Sequence, residues 1–267
     1  MKHLGGAVGA LIALAAVPLS TSGFAACRAQ SGTSTAALVE LYTSEGCSSC
    51  PPADRTLARL GAALDPGAVA VPLALHVDYW DAIGWKDPYA LPPLSQRHQW
   101  LVHANGHKVT YTPHFFVSGS ELARGSDDLR LAVRQINSHL PQAQIQLRAD
   151  PAGSGALALD VAASAPSSND GLALYVAVTE NQLVSHVARG ENSGATLLHD
   201  HVVRAWTGPL ALAGGSAHLQ QDIALPVQVN RANVDVVAFV QDRRSGAVLQ
   251  AVAAESCATA VLPGAPR

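Results

Sequence analysis

The apolar run Leu38 to Tyr42 leads through a short turn into Cys47-Ser48-Ser49-Cys50, and Pro51-Pro52 follows at once. A short apolar run bounded by turn residues reads as a buried strand. Proline suits a first helical turn, where its missing N–H has no intrahelical partner to lose and its φ is already set. The chain is thereby committed to a strand–turn–helix unit that carries two thiols within bonding reach of each other at the head of a helix.

That placement points to chemistry at sulfur. The working nucleophile is a thiolate, and the unpaired N–H groups and partial positive charge of a helix N-terminus favour an anion. Cys47 is therefore expected to attack, or be attacked by, an external disulfide, and Cys50 to resolve the mixed disulfide. The redox reading requires sulfurs that a reagent can reach and that lie close enough to bond. A lone Cys-x-x-Cys also has plainer readings, a permanent bridge or half of a metal site. With four cysteines and no second such motif, a four-thiolate zinc site within one chain is excluded.

The surrounding pattern predicts an α/β unit. A helix after Pro51 carries Leu57, Leu60 and Leu64 at helical spacing, and a second strand runs from Val69 to Val77. An aromatic and proline-rich insertion spans Asp78 to Pro93. A helix from Leu94 to Ala104 stops at Asn105-Gly106. A strand at Phe115 to Val117, another at Glu121 to Ala123, and a helix on Leu129, Val133, Ile136 and Leu140, with Ser126 as its cap, complete the unit. This is the element order of thioredoxin with an enlarged middle, assigned to residues 36–141. Beyond Pro141 the pattern alternates, as in Leu172, Leu174, Val176 and Val178, with more strand-like runs at Leu157 to Val161, Val234 to Val240 and Ala247 to Val252. A β-sandwich-like C-terminal domain over residues 142–262 is the reading.

Residues 1–26 read as a secretory signal, with Lys2, an apolar stretch from Leu4 to Leu19, and small residues around Ala25. No other segment approaches about 18 uninterrupted apolar residues, so the mature chain is expected to lack a transmembrane segment. Secretion across the inner membrane into the periplasm follows, a space that permits disulfides. A net charge of -3 with 14% charged residues leaves no basic stripe for a phosphate backbone, which excludes nucleic acid as the expected partner. Cys27 has two readings. Phe24-Ala25-Ala26-Cys27 loosely resembles a lipoprotein box, which would make Cys27 a lipid anchor; alternatively Cys27 pairs with Cys257.

Two further residues attach to the thiols. Glu40 is an acid embedded in the strand that delivers them; buried, its pKa would rise until it could take the proton of Cys50, whereas at a strand edge it would face outward. Thr112-Pro113 stands directly before an apolar strand. A cis bond there would expose backbone beside the sulfurs for a substrate chain to pair with, Tyr111 and Thr112 included. Trp80 and Trp85 are read as one packing residue and one rim residue over the site.

Eleven histidines, among them His76, His98, His103, His107 and His114, support an alternative function, a copper or zinc carrier that uses the thiols and nearby imidazoles. His199-Asp200-His201 would put two imidazoles on one strand face. Gly190-Glu191-Asn192-Ser193-Gly194 reads as a long turn.

The stretch Leu38 to Asp54, with His76-Val77-Asp78-Tyr79-Trp80-Asp81, Gly84-Trp85-Lys86-Asp87-Pro88, the Gln96-Arg97 region, Tyr111-Thr112-Pro113, Arg189-Gly190-Glu191-Asn192 and His201-Val202-Val203-Arg204, resembles a family of secreted bacterial thioredoxin-like proteins catalogued as a domain of unknown function. The resemblance spans nearly all of the mature chain and implies a thioredoxin-like fold with a family-specific C-terminal domain. Ser48-Ser49 stands where thioredoxins have Gly-Pro, which leaves the choice between oxidant, reductant and isomerase open.

The expectation is an extracytoplasmic thiol–disulfide oxidoreductase-like protein. Cys47, Cys50, Pro113 and Glu40 would be catalytic, and Thr112, Tyr111, Trp80 and Trp85 would contact the substrate. Its partners would be protein or small-molecule thiols and disulfides, with no cofactor and no resident metal. A non-catalytic binding module with a permanent bridge is the other alternative.

Overall fold

The computed structural model describes residues 27–122, 126–153, 155–166, 170–226, 228–255 and 257. The segment 1–26 expected to be a signal lies outside the described residues, as does Ala123 at the end of the expected fourth strand.

The first half of the chain contains β1 (Cys27–Gln30), β2 (Ala37–Thr43), α1 (Pro51–Ala58), α2 (Leu60–Ala63), β3 (Ala70–His76), α3 (Pro92–Ala104), β4 (His114–Val117), β5 (Ser120–Glu121) and α4 (Ser126–Asn137). The second half is all strand, with β6 (Gln144–Ala152), β7 (Ala156–Ser164), β8 (Leu172–Glu180), β9 (Leu183–His186) and β10 (Thr196–His199). It continues with β11 (Val202–Ala211), β12 (Ser216–Ala224), β13 (Val234–Asp242) and β14 (Val248–Ala254). No helix among the described residues is long and apolar enough to cross a membrane.

Most helical and strand segments expected between Leu38 and Ile136 are present, although the first helix breaks into α1 and α2 before Leu64 and only Glu121 of the expected fourth strand lies in β5. The expected fold class, however, is overturned. The molecule is mostly β, and the two halves share one eight-stranded sheet of order β14-β13-β8-β11-β3-β2-β4-β5. β11 lies parallel to β3, with Val202 opposite Ala74, and the Ala74 amide donates to the His201 carbonyl at 2.8 Å. A thioredoxin-like α/β unit followed by a separate β domain is therefore corrected. Strands of the second half complete the sheet that the first half begins, because β3 has no other partner to satisfy its backbone groups on that side.

Both faces of this sheet are covered, which is why β2 and β8 are buried at every position. On one face, Leu38 and Tyr42 of β2 pack with Leu94, Leu101 and Val102 of α3, and with Tyr175 of β8 and Phe239 of β13. On the other, Val39 and Leu41 meet Leu57 of α1 and Leu129 and Val133 of α4. Toward β8 and β13 that second face is covered by a four-stranded sheet of order β1-β6-β7-β12. Cys27 of β1 is bonded to Cys257, which fastens the small sheet to the segment after β14.

Candidate functional site

Cys47 and Cys50 form a disulfide with Cα atoms 5.4 Å apart, at the end of β2 where the expected turn enters α1. Cys50 is the N-cap of α1, and Pro51 and Pro52 occupy its first turn. The turn is held by amides that donate inward. Cys47 N–H reaches the Ser44 carbonyl at 3.1 Å and Cys50 N–H the Cys47 carbonyl at 3.2 Å, while those of Ala53 and Asp54 reach the Cys50 carbonyl at 2.9 and 3.1 Å. Because the two prolines bring no N–H, the helix start offers a sulfur anion less direct donation than an ordinary N-terminus. Ser49 Oγ lies 3.4 Å from Cys47 Sγ. Ser48 and Ser49 are exposed, but both cysteines are fully buried, so the sulfurs are closed to reagents in this arrangement.

Behind the disulfide lies a buried polar cluster. Glu45 accepts from Trp85 Nε1 at 2.8 Å through Oε2 and lies 3.0 Å from His199 Nε2 through Oε1. The Glu45 amide donates to Asp87 Oδ2 at 2.8 Å, and the same oxygen lies 2.7 Å from His76 Nδ1. The rings of His76, His199 and Tyr89 stand edge to face, with centroids 5.1 to 5.6 Å apart. His76 Nε2 and His199 Nδ1 are buried without a hydrogen-bond partner. Burial opposes the imidazolium of His76 most strongly, but the Asp87 carboxylate beside it, together with Asp54 and Glu45, outweighs burial and holds its pKa above the usual value. Burial likewise opposes the charged form of Asp87, and His76 with the amides of Glu45 and Tyr89 overcomes it, so that Asp87 stays below the usual carboxylate range.

Asp54 sits four residues after Cys50 on α1, hence on the same side of the helix. Its Oδ1 accepts from Thr43 Oγ1 at 2.7 Å. Burial of this inward-turned carboxyl raises its pKa, against the nearby His76 and the Thr43 hydroxyl.

Loop residues between β9 and β10 bond the cysteine turn from the other half of the chain. Glu191 Oε2 accepts from the Ser48 amide at 3.0 Å and from the Ser48 hydroxyl at 2.7 Å. Asn192 Nδ2 donates to the carbonyls of Glu45 at 2.8 Å and Cys47 at 3.0 Å. Gly190 adopts φ +76°, and a Cβ there would stand 3.1 Å from that of Trp85, so the loop can close on the indole only with glycine at this position.

The sequence-derived site residues divide. Trp80 and Trp85 both belong to the turn: Trp80 packs on Gly46, where an added Cβ would stand 3.2 Å from its own, and Trp85 bonds Glu45. The Thr112-Pro113 bond is cis, just before β4, whose His114 pairs with Tyr42 near the end of β2. Thr112 Oγ1 is buried without a partner, and Tyr111 is half-exposed with its hydroxyl on Glu121 at 2.8 Å. Glu40 is not brought to the sulfurs. It shares a sheet face with Leu38 and Tyr42, opposite α1, and both its oxygens are held by Arg97 of α3 at 2.6 and 3.0 Å.

Nor do the histidines converge. His98 Nε2 lies 2.9 Å from His114 Nδ1, and Tyr79 and Glu121 extend this contact into a line. Burial and the neighbouring His114 push His98 down to about 3, so the line runs through a neutral imidazole. His199 ends β10 while His201 lies beyond the strand at φ +59°, so the two do not share a strand face. Among the described residues no three His, Cys, Asp or Glu side chains are placed to hold a metal.

Sequence reasoning gave no individual role to Glu45, Asp54, Asp87, Glu191 or Asn192, and considered His199 only as half of an imidazole pair with His201. Asp54 and Glu45 stand close to the cysteines in sequence and Asp87 comes from the segment between β3 and α3, whereas Glu191, Asn192 and His199 come from the second half of the chain.

Solved structures similar in fold include two of known origin. One is HBP35 of Porphyromonas gingivalis, with TM-score 0.64 and 18% identity over 88% of this chain and 81% of that one. The other is the X-ray crystal structure of protein AGR_C_4864 from Agrobacterium tumefaciens, with TM-score 0.57 and 22% identity over 86% of this chain and 99% of that one. No curated protein compared with the chain matches it. Residues 38–241, which hold Cys47, Cys50, Asp87, Glu191, Asn192 and His199, match the family model described as Protein of unknown function (DUF1223), and the chain belongs to that family.

Proposed function

We propose that this is an extracytoplasmic thiol–disulfide oxidoreductase-like protein whose Cys47 and Cys50 cycle between dithiol and disulfide against protein or small-molecule partners. The observation that carries the reading is the Cys47–Cys50 bond at the head of α1 with the part-buried carboxyl of Asp54, bonded to Thr43, one helical turn behind it. The two disulfides and the apolar leader of the sequence support placement outside the cytoplasm.

In the oxidising direction for the protein, the Cys47 thiolate attacks an external disulfide RSSR. A Cys47–S–S–R bond forms and RS⁻ leaves. Cys50 gives its proton to Asp54 and attacks Cys47 Sγ, expelling the second RS⁻. Two electrons pass to RSSR, and the two RS⁻ leave as RSH after taking up the proton Cys47 had released and the one held by Asp54. Asp54 takes the role expected of Glu40, whose oxygens are both engaged by Arg97 across the sheet. Thr112, whose hydroxyl is buried without a partner beside Pro113, and Trp80, packed on Gly46, would contact the partner only after the turn opens.

The full burial of both cysteines favours a second reading, a permanent bridge in a non-catalytic module. Incubating Cys50→Ala with glutathione disulfide separates the two. The redox reading expects a stoichiometric glutathione adduct on Cys47 of the folded protein. A folded variant that forms no adduct, while its denatured form does, establishes the inert alternative.

A further inference from the structure

We infer that Glu191 is a positioning residue, a carboxylate latch that covers the Cys47–Cys50 turn and biases the pair toward the disulfide. The inference rests on the redox reading of that pair and adds to it what sets the pair's poise.

The loop is fastened on three sides. Glu191 takes both the amide and the hydroxyl of Ser48, Asn192 bridges the carbonyls of Glu45 and Cys47, and Gly190 closes on Trp85, itself bonded to Glu45. The Glu191 and Asn192 contacts join residues more than 140 positions apart. They hold the backbone of the turn that carries both cysteines.

The same contacts bear on the reduced state. Pro51 and Pro52 bring no N–H to the head of α1, and the Ser48 amide, the one next to Cys47, is already occupied by Glu191. Reduction would place a Cys47 thiolate beside a carboxylate with that donor withdrawn. Repulsion between like charges raises the free energy of the thiolate and hence of the reduced form. For the balanced exchange, in which the protein dithiol and glutathione disulfide give the protein disulfide and two glutathione thiols, the equilibrium therefore lies further toward the protein disulfide than it would without Glu191.

The test compares the wild-type protein with Glu191→Gln and Glu191→Asp in glutathione buffers, with the Cys47–Cys50 state read by alkylation and peptide mass. The thiol acidity of Cys47 is read from the pH dependence of alkylation. For Glu191→Gln the equilibrium constant is expected to fall by about threefold to tenfold and Cys47 to become more acidic, the size expected of one exposed, screened charge. Both differences should shrink near 1 M salt, where the screening length is about 3 Å. Glu191→Asp, which keeps the charge, should fall between Gln and wild type. Equal constants and equal Cys47 acidity in Gln and wild type would overturn the latch and leave the redox reading standing. A folded wild-type protein whose Cys47–Cys50 bond no glutathione ratio reduces would overturn the redox reading, and the latch with it.

Discussion

Arg97 holds Glu40 through two hydrogen bonds, Nε to Oε1 at 2.6 Å and Nη2 to Oε2 at 3.0 Å, with both side chains buried inside the eight-stranded sheet's α3 face. The guanidinium carbon lies 5.0 to 5.7 Å from the ring centroids of Trp100, Tyr175, Trp206 and Phe239. This pair joins β2 to a helix that also packs on β8 and β13, so it ties the two halves of the chain. Removing one partner leaves a charge buried and unpaired. Arg97→Met is expected to cost about 3–5 kcal/mol in denaturant unfolding, and adding Glu40→Gln to restore part of that loss.

The Cys27–Cys257 bond spans 230 positions and closes the chain between β1 and the segment after β14. A bridge of that loop length limits the unfolded ensemble strongly. The double serine variant is expected to lose about 2–5 kcal/mol of stability, read as a lower denaturant midpoint. Exchange at Cys47 should survive wherever the variant stays folded.

Asp54 has its pKa raised by burial. A carboxyl raised in the fold favours folding below its unfolded value and opposes it once pH climbs through the folded value. Asp54→Asn is therefore expected to be more stable than wild type at neutral pH, with the difference vanishing in acid near the ordinary carboxylate value. The same variant should slow formation of the Cys47–Cys50 bond by about a hundredfold, the lower range of acid–base assistance. Stopped-flow oxidation by glutathione disulfide reads the rate, and unfolding at several pH values reads the stability.

His76 and Asp87 contribute over a bounded pH window. The raised His76 gives stability that is present at pH below its unfolded value and lost as pH rises through its folded one. The lowered Asp87 gives stability that is present above its unfolded value and lost as pH falls through its folded one. The pair should hold the Glu45 segment best between the ordinary values of a carboxylate and an imidazole. Asp87→Ala is expected to cost about 3–5 kcal/mol there and less at either extreme, measured as unfolding free energy against pH.

Much of the local structure was legible. Leu38 to Tyr42 becomes β2, the prolines start α1, and Leu94 to Ala104 lies within α3. Each is written in short-range periodicity and proline placement. The sheet order was not. Leu172, Leu174, Val176 and Val178 were read as one face of a sandwich strand, although Ala173, Tyr175 and Ala177 between them are apolar too. That continuous run marks a strand covered on both faces, and β8 is buried along its whole length. Its neighbour β11 pairs with β3 across a separation that no local pattern encodes. At the site, the acid in β2 was legible as an oddity, but its partner Arg97 lies 57 positions on. Glu191 and Asn192 were legible only as turn residues, because their role arises where β10 brings them against the first half of the chain.

The reduction potential of the Cys47–Cys50 pair in the folded wild-type protein tests the central claim most directly, with each disulfide quantified separately by alkylation in glutathione buffers. A midpoint between about -120 and -270 mV, the range of working thiol–disulfide proteins, is the result expected for an exchanging pair. A midpoint below about -300 mV, with the bond intact at every accessible ratio, would identify a structural bridge and contradict the account.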